Sequence, residues 1–254
     1  MDNAAPDIIE RLTRVLGNEG LVTDPEERDY YSQDVYSSAE YVTTAVLRPA
    51  NIEELSEAVR ISTEAGYAVF PRGGGMSYTS GYLPTTEKSV TVDLARMNNI
   101  REINLEDMYI TVECGCPWVD IYEALKGKGV RPPFWGTLSG IKATVGGGLS
   151  QNCIFFGSGI HGSGADTVIG LEVVLADGTI INTGSGAVEG GTPFFRHYGP
   201  DLTGVFTADT GALGIKAVAT LKLIASPPFV RHLSFDFPDH KTWLPAMGEI
   251  SRKG

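Results

Sequence analysis

Tyr67-Ala68-Val69-Phe70-Pro71-Arg72-Gly73-Gly74-Gly75-Met76-Ser77 is a short apolar run that breaks at a proline into three successive glycines. A brief apolar segment between Gly66 and Pro71 predicts a strand over residues 67–70. Working backward, Gly66 closes a predicted helix over residues 52–65 that carries Leu55, Val59 and Ser62 on neighbouring turns and has Asn51 as its N-cap. Before it, residues 42–47 (VTTAVL) predict another strand. Strand, crossover helix and strand form a βαβ unit, so the two strands run parallel and residues 71–77 emerge at a carboxyl edge, where open α/β sheets bind ligands. Glycines without Cβ can take positive φ and let successive N–H groups converge on a pyrophosphate, with Arg72 adding charge and the Ser77 hydroxyl a hydrogen bond. Gly74 is expected where the backbone meets that group, at positive φ or in close approach. A triple glycine in isolation reads equally as an ordinary turn; its place directly after a strand favours the ligand loop.

Outward from this unit, Ile8, Ile9, Leu12, Val15 and Leu16 predict an amphipathic helix that stops at Gly17 and packs on the outside of the domain. Toward the carboxyl terminus, residues 90–94 predict a further strand, and residues 100–104 and 109–113 a pair of strands. Pro117 opens a helix through Leu125. Residues 168–175, the Asp177-Gly178 turn and residues 179–182 predict a hairpin, followed by a late strand over residues 215–224. After Pro227 and Pro228 a strand over residues 230–237 and a helix from His240 are expected. The fold class predicted is α+β: a helical arm over residues 1–29, a two-part domain over 30–228 divided near 98/99, and the incomplete beginning of a further domain over 229–254.

Two more segments invite chemistry. Gly136-Thr137-Leu138-Ser139-Gly140-Ile141-Lys142-Ala143-Thr144-Val145-Gly146-Gly147-Gly148-Leu149-Ser150-Gln151-Asn152 concentrates glycine and small hydroxyl residues. Ordering glycine costs more backbone entropy than ordering any other residue, so close approach to a ligand accounts for the run better than mere connection. The third is His197-Tyr198-Gly199-Pro200-Asp201-Leu202, with Thr210-Gly211-Ala212-Leu213-Gly214-Ile215 after it, which alone reads as a short helix and a tight turn into a strand. Gly157-Ser158-Gly159-Ile160-His161-Gly162 satisfies the dinucleotide pattern G-x-G-x-x-G by letter but lacks the strand before and the helix after that the fingerprint needs.

The net charge of −11 argues against a nucleic-acid partner. No apolar run approaches the about 20 residues of a membrane span, and the amino terminus lacks a secretory pattern, which makes cytoplasmic the expected location. Cys114, Cys116 and Cys153 read as reduced core thiols, the first two falling on one strand face. His161, His197, His232 and His240 have no metal-ligand spacing, so no metal is expected.

In this order, the three segments resemble the FAD-binding domain of the vanillyl-alcohol oxidase superfamily, also called the p-cresol-methylhydroxylase type, over about residues 30–228. The resemblance rests on residues 71–77, on Thr137 to Asn152 with its Thr-Val-Gly-Gly core, on the hairpin Gly170-Leu171-Glu172-Val173-Val174-Leu175-Ala176-Asp177-Gly178, and on Gly199-Pro200-Asp201-Leu202 with Gly211-Ala212-Leu213-Gly214-Ile215. It implies FAD lying between two α+β subdomains, contacted by Arg72, Gly73, Gly74, Gly75, Met76, Ser77, Thr137, Ser139, Gly140, Thr144, Gly147, Gln151, Asn152, Gly214 and Ile215. The Ile215 backbone would lie near the adenine and the second segment near the isoalloxazine. Met76 stands where relatives that attach FAD covalently carry His, and no Cys stands near Ser139 where some add one, which implies non-covalent FAD within this chain. The implied activity is oxidation of an alcohol or 2-hydroxy acid, of the D-lactate or glycolate oxidase type, by hydride transfer to flavin N5, with oxygen or a redox partner as acceptor. Thr183-Gly184-Ser185-Gly186-Ala187 keeps the phenol-oxidising branch as an alternative, and a non-catalytic flavin-holding module is another. The catalytic base stays unassigned, with His161 and His197 as candidates, and homo-oligomerisation is left open. The family's substrate-binding cap would begin at residue 229.

Overall fold

The computed structural model describes residues 4–134, 136 and 139–253, with side chains from residue 8 onward. Helix α1 (Ala4–Gly20) buries Ile8, Leu12 and Leu16, four residues apart, as one stripe against the core. Gly17, expected to end it, is instead a kink (φ 69, ψ 174) beyond which the helix resumes. After β1 (Leu21–Val22) comes α2 (Pro25–Tyr31), capped by the Asp24 carboxylate on the N–H groups of Glu26 and Glu27. Strand β2 (Ala45–Leu47) is shorter than the expected 42–47 run, and α3 (Ile52–Glu64) starts at Asn51 as predicted, with Asn51 Oδ1 accepting Glu54 N–H at 2.8 Å.

Strands β3 (Ala68–Arg72) and β4 (Ser89–Asp93) complete a sheet of order β1-β2-β4-β3. Both β2 and β3 run parallel to β4, with Val90 opposite Ala45 on one side and Val69 on the other. The βαβ reading therefore holds, with β4 inserted between its two strands. Parallel strands covered on both faces carry continuous apolar sequence, and β2 and β4 are buried at every position.

The chain then turns antiparallel, as expected: β5 (Ile100–Asn104), β6 (Tyr109–Glu113), α4 (Trp118–Leu125), β7 (Val130–Arg131), α5 (Val145–Ser150), α6 (Ser158–His161), α7 (Gly164–Thr167), β8 (Val168–Val174), β9 (Ile180–Asn182), a 3-10 turn (Gly184–Ala187), α8 (Leu202–Val205), β10 (Ile215–Lys222), β11 (Ile224–Ala225) and α9 (His240–Lys253). The second sheet has order β5-β6-β10-β8-β9, with antiparallel neighbours throughout. Cys114 lies just past β6 and Cys116 in the turn beyond, so they share burial but not a strand face.

Helix α3 joins the halves. Ser56 Oγ donates to Gly178 O at 2.5 Å and Thr63 Oγ1 to Ala176 O at 2.7 Å, clasping the turn of the β8–β9 hairpin. The sheets also meet where Gly115 N–H donates to Met97 O at 2.9 Å; a Cβ on Gly115 would lie 1.9 Å from Leu94 O, so only glycine allows that approach. One core cluster runs through both sheets, from Leu47 and Val92 to Ile110 and Leu221.

The strand expected over residues 230–237 does not form. No neighbouring strand supplies it with ladder partners, and Phe229, Leu233 and Phe235 are exposed. Helix α9 begins at His240 as predicted, with Asp239 accepting Thr242 N–H at 2.9 Å, yet it buries no residue.

Candidate functional site

A cleft of about 440 Å³ opens where the two sheets meet. Its position follows from topology. Strands β3 and β4 end at Arg72 and Asp93, β6 ends at Glu113, and its antiparallel neighbour β10 begins at Ile215, so all four present the same edge to the cleft. Cys114 N–H donates to Ala217 O at 2.8 Å, holding that edge together.

Of the residues singled out from sequence, Arg72, Gly73, Gly74, Gly75, Met76, Ser77, Ser139, Thr144, Gly147, Gln151, Asn152, Gly214 and Ile215 line this one cleft. Gly140 does not; its carbonyl is committed to the Val119 N–H at 3.1 Å, at the start of α4. Thr137 lies outside the described residues. His161 sits on α6 and His197 on an exposed loop, and neither lines the cleft.

The three glycines of the first loop do different work from one another. Positive φ falls on Gly75 (+67), not on Gly74. A Cβ on Gly74 would lie 1.7 Å from Lys142 O, and one on Gly73 2.2 Å from Thr144 Oγ1. The first glycine loop is thus packed directly onto the second segment, and these two glycines are required by that contact. Gly147 is the open one: a Cβ there would meet nothing nearer than Thr144 Oγ1 at 3.4 Å. Thr144 is the N-cap of α5, its hydroxyl accepting Gly147 N–H at 3.3 Å.

Arg72 is buried, 7% exposed, with its guanidinium carbon 4.5, 5.1 and 5.4 Å from the ring centroids of Tyr31, Tyr30 and Tyr82. A Cβ on Gly75 would lie 2.4 Å from Arg72 Nη2, so the loop closes over its own arginine. Its Nε has no hydrogen-bond partner among the described residues. Arginine keeps its charge even when buried, so a cation caged by aromatic faces beneath a glycine loop adds positive potential to that side of the cleft. Burial pushes the Tyr82 phenol up, and nearby Asp34 adds to it, against the opposing pull of Arg72. Asp34 in turn ties the loop down by accepting Ser80 N–H at 2.8 Å, and N–H donors from Ser37, Tyr36 and Ser80 outweigh desolvation to hold its carboxyl below the usual range.

Sequence reading missed Thr79, Tyr82 and Lys216, and named the segments holding Ser150 and Thr210 without naming these two as contacts; all five line the cleft. Thr79 bridges Ser77 Oγ at 2.9 Å and Gln151 Oε1 at 3.3 Å, linking the first and second segments. Its place two residues beyond Ser77 in a polar run was the only signal. The buried Lys216 left a clearer one, as a charge at the second position of β10 directly before the uncharged run Ala217 to Leu221. The third segment reaches the cleft because Ala208 N–H and Thr210 N–H donate to Leu149 O and Ser150 O at the end of α5, each at 3.0 Å.

A phosphate-bearing, partly planar group fits these walls: open glycine backbone, a buried guanidinium whose Nε has no partner among the described residues, and hydroxyl and amide side chains around a concave apolar floor that includes Leu94 and Ile215. The comparisons agree. The model of the FAD binding domain family matches residues 43–184, more than half of the chain. Glycolate oxidase subunit GlcD of Bacillus subtilis is 34% identical over 222 residues, covering 87% of this chain and 45% of that protein. D-lactate dehydrogenase [cytochrome] 1, mitochondrial, of Saccharomyces cerevisiae is 31% identical over 239 residues, 90% of this chain and 39% of that one. Among solved structures, p-cresol methylhydroxylase with substrate bound superposes with a TM-score of 0.79 at 23% identity, over 90% of this chain and 45% of that one. The 4-ethylphenol oxidase from Gulosibacter chungangensis gives 0.74 at 23%, over 90% and 44%. The chain thus spans less than half the length of each of these relatives. With the family model matched across its two glycine-rich segments, the chain belongs to the FAD binding domain family and its cofactor is FAD, and it shares its fold with p-cresol methylhydroxylase.

Proposed function

We propose that this chain holds FAD non-covalently in the cleft between its sheets and serves an enzyme that oxidises the CH–OH group of an alcohol or 2-hydroxy acid. The observation that carries this reading is the convergence of three glycine-rich segments, far apart in sequence, on one cleft beside the caged Arg72 cation. The backbone of residues 73–77 would take the pyrophosphate, with Arg72 supplying charge through the loop and Ser77 a hydroxyl. Gly147, Gln151 and Asn152 would lie along the ring system, and Gly214 and Ile215 along the nucleotide. When bound, FAD supplies the electron-accepting chemistry, taking a hydride at N5. The residues of this chain bind and orient it; none is assigned as the base that receives the hydroxyl proton.

Non-covalent binding is supported by Met76, 40% exposed at the cleft, in place of a His. The similarity to glycolate oxidase and D-lactate dehydrogenase supports a small 2-hydroxy acid as substrate, with oxygen or a redox partner as electron acceptor. Residues 229–253, whose exposed side chains include Phe229, Phe235 and Leu244, are proposed as the start of the substrate-side domain. Two measurements test the reading. Flavin-free protein should quench FAD fluorescence on titration, and acid precipitation of the loaded protein should release all of the flavin; yellow colour retained in the washed pellet would refute non-covalent binding. Anaerobic bleaching of the flavin should occur with glycolate or D-lactate in a longer protein carrying this chain, and bleaching by phenolic alcohols alone would move the substrate class to that branch.

A further inference from the structure

Asp209 and Lys216 form the most deeply buried ion pair among the described residues, with Nζ 2.7 Å from Oδ1 and side chains 1% and 2% exposed. Lys216 lines the cofactor cleft from the second position of β10. Asp209 does more than neutralise it. Its Oδ1 also accepts Gly211 N–H at 3.0 Å and its Oδ2 accepts Leu213 N–H at 3.4 Å, so one carboxylate gathers the whole turn that leads into the strand.

That turn is strained. Ala208 and Thr210 have φ of +58 and +52, a left-handed backbone that β-carbon-bearing residues avoid, and Gly211 follows at +84. Such conformations persist only where the surroundings over-determine them. Here the surroundings are the two carbonyls at the end of α5, which hold Ala208 N–H and Thr210 N–H, and the Asp209 carboxylate between them. The result is a fixed wall in which Thr210, Gly211, Gly214 and Ile215 face the cleft.

Stability alone is a poor reason for this arrangement. Desolvating two charges offsets much of their attraction, and apolar residues of similar volume would fill the same space at least as well. What an apolar pair cannot do is hold two backbone N–H groups of a left-handed turn in place. We propose that the Asp209–Lys216 pair is a positioning element that presets the third wall of the cleft for FAD; this rests on the cofactor reading above. Lys216 fixes the carboxylate to a strand bonded on both sides by β6 and β8, and Asp209 passes that rigidity to the turn.

The test measures FAD dissociation constants by fluorescence quenching on the full chain, with thermal unfolding of each flavin-free variant in parallel. Replacing both partners by apolar residues, D209L/K216M, should leave the unfolding midpoint near that of wild type while weakening FAD about tenfold or more, since both acceptor oxygens go without leaving a lone buried charge. Asp209→Glu keeps the charge but displaces the carboxylate from Gly211 and Leu213, and should weaken FAD binding even if the double variant does not fold. A double variant that binds like wild type or an unchanged dissociation constant for Asp209→Glu would each overturn the proposal. Wild-type protein that takes up no FAD would overturn the cofactor reading itself, and this one with it.

Discussion

Gly74 shows how one missing carbon can serve two loops. Because its Cβ position falls 1.7 Å from the Lys142 carbonyl, any side chain there must push the first glycine loop off the second segment. Substitution at Gly74 therefore strikes the packing of the two segments as well as the cleft they line. Gly74→Ala is expected to cost about 1–3 kcal/mol of stability, as overpacking typically does, and to weaken FAD binding in parallel. Thermal unfolding and FAD titration of the same variant check this; a normal unfolding midpoint with lost FAD binding would show that Gly74 meets the cofactor and not Lys142. The cysteines give a second prediction at this scale. Burial pushes the Cys114, Cys116 and Cys153 thiols up to about 12, leaving almost no thiolate at pH 8. Native protein should therefore react with a disulfide reagent over hours, and denatured protein within minutes. Rapid modification of one thiol in the native state would mean that its surroundings open.

At the scale of elements, α3 carries the most structural duty for its length. It packs on the parallel sheet through Leu55, Ala58 and Val59 and clasps the β8–β9 turn through Ser56 and Thr63. Its start is secured reciprocally, with Asn51 Oδ1 accepting Glu54 N–H and Glu54 Oε2 accepting Ala50 N–H, both at 2.8 Å. Asn51→Ala should lower stability by about 1 kcal/mol, read as a lower denaturant midpoint with an unchanged slope. Since α3 supports both sheets but touches the cleft with no side chain, FAD affinity of the folded variant should be unaltered. This helix and its cap were legible in the sequence because both signals are local: apolar spacing along one chain segment, and a side chain bonding three residues ahead. The strand expected over residues 230–237 failed for the opposite reason. Apolar alternation states a preference, but a strand exists only where a neighbour completes its ladder.

Across the whole molecule, order follows the shared core. Strand β10 lies at the centre of its sheet, buried at every position but the last, whereas residues 229–253 bury nothing and α9 holds Pro245 in its interior. Amide hydrogen exchange should separate the two, with β10 protected for hours or longer and the amides of α9 exchanging within seconds to minutes. Comparable protection in both would show that α9 is docked in solution.

The sequence by itself determined the fold class, the parallel unit followed by antiparallel strands, the hairpin at Asp177-Gly178 and the glycine segments that line the cleft, because propensity, capping and turn chemistry act between residues close along the chain. Tertiary structure alone decided which of these residues meet. It set β4 between β2 and β3, packed Gly73 and Gly74 onto the second segment, sent the Gly140 carbonyl to α4, caged Arg72 among three tyrosines, and brought Asp209 to Lys216 across a left-handed turn. Each of these depends on close packing between segments distant in sequence, where a difference of an ångström separates a contact from a clash, and local preference carries no information at that precision.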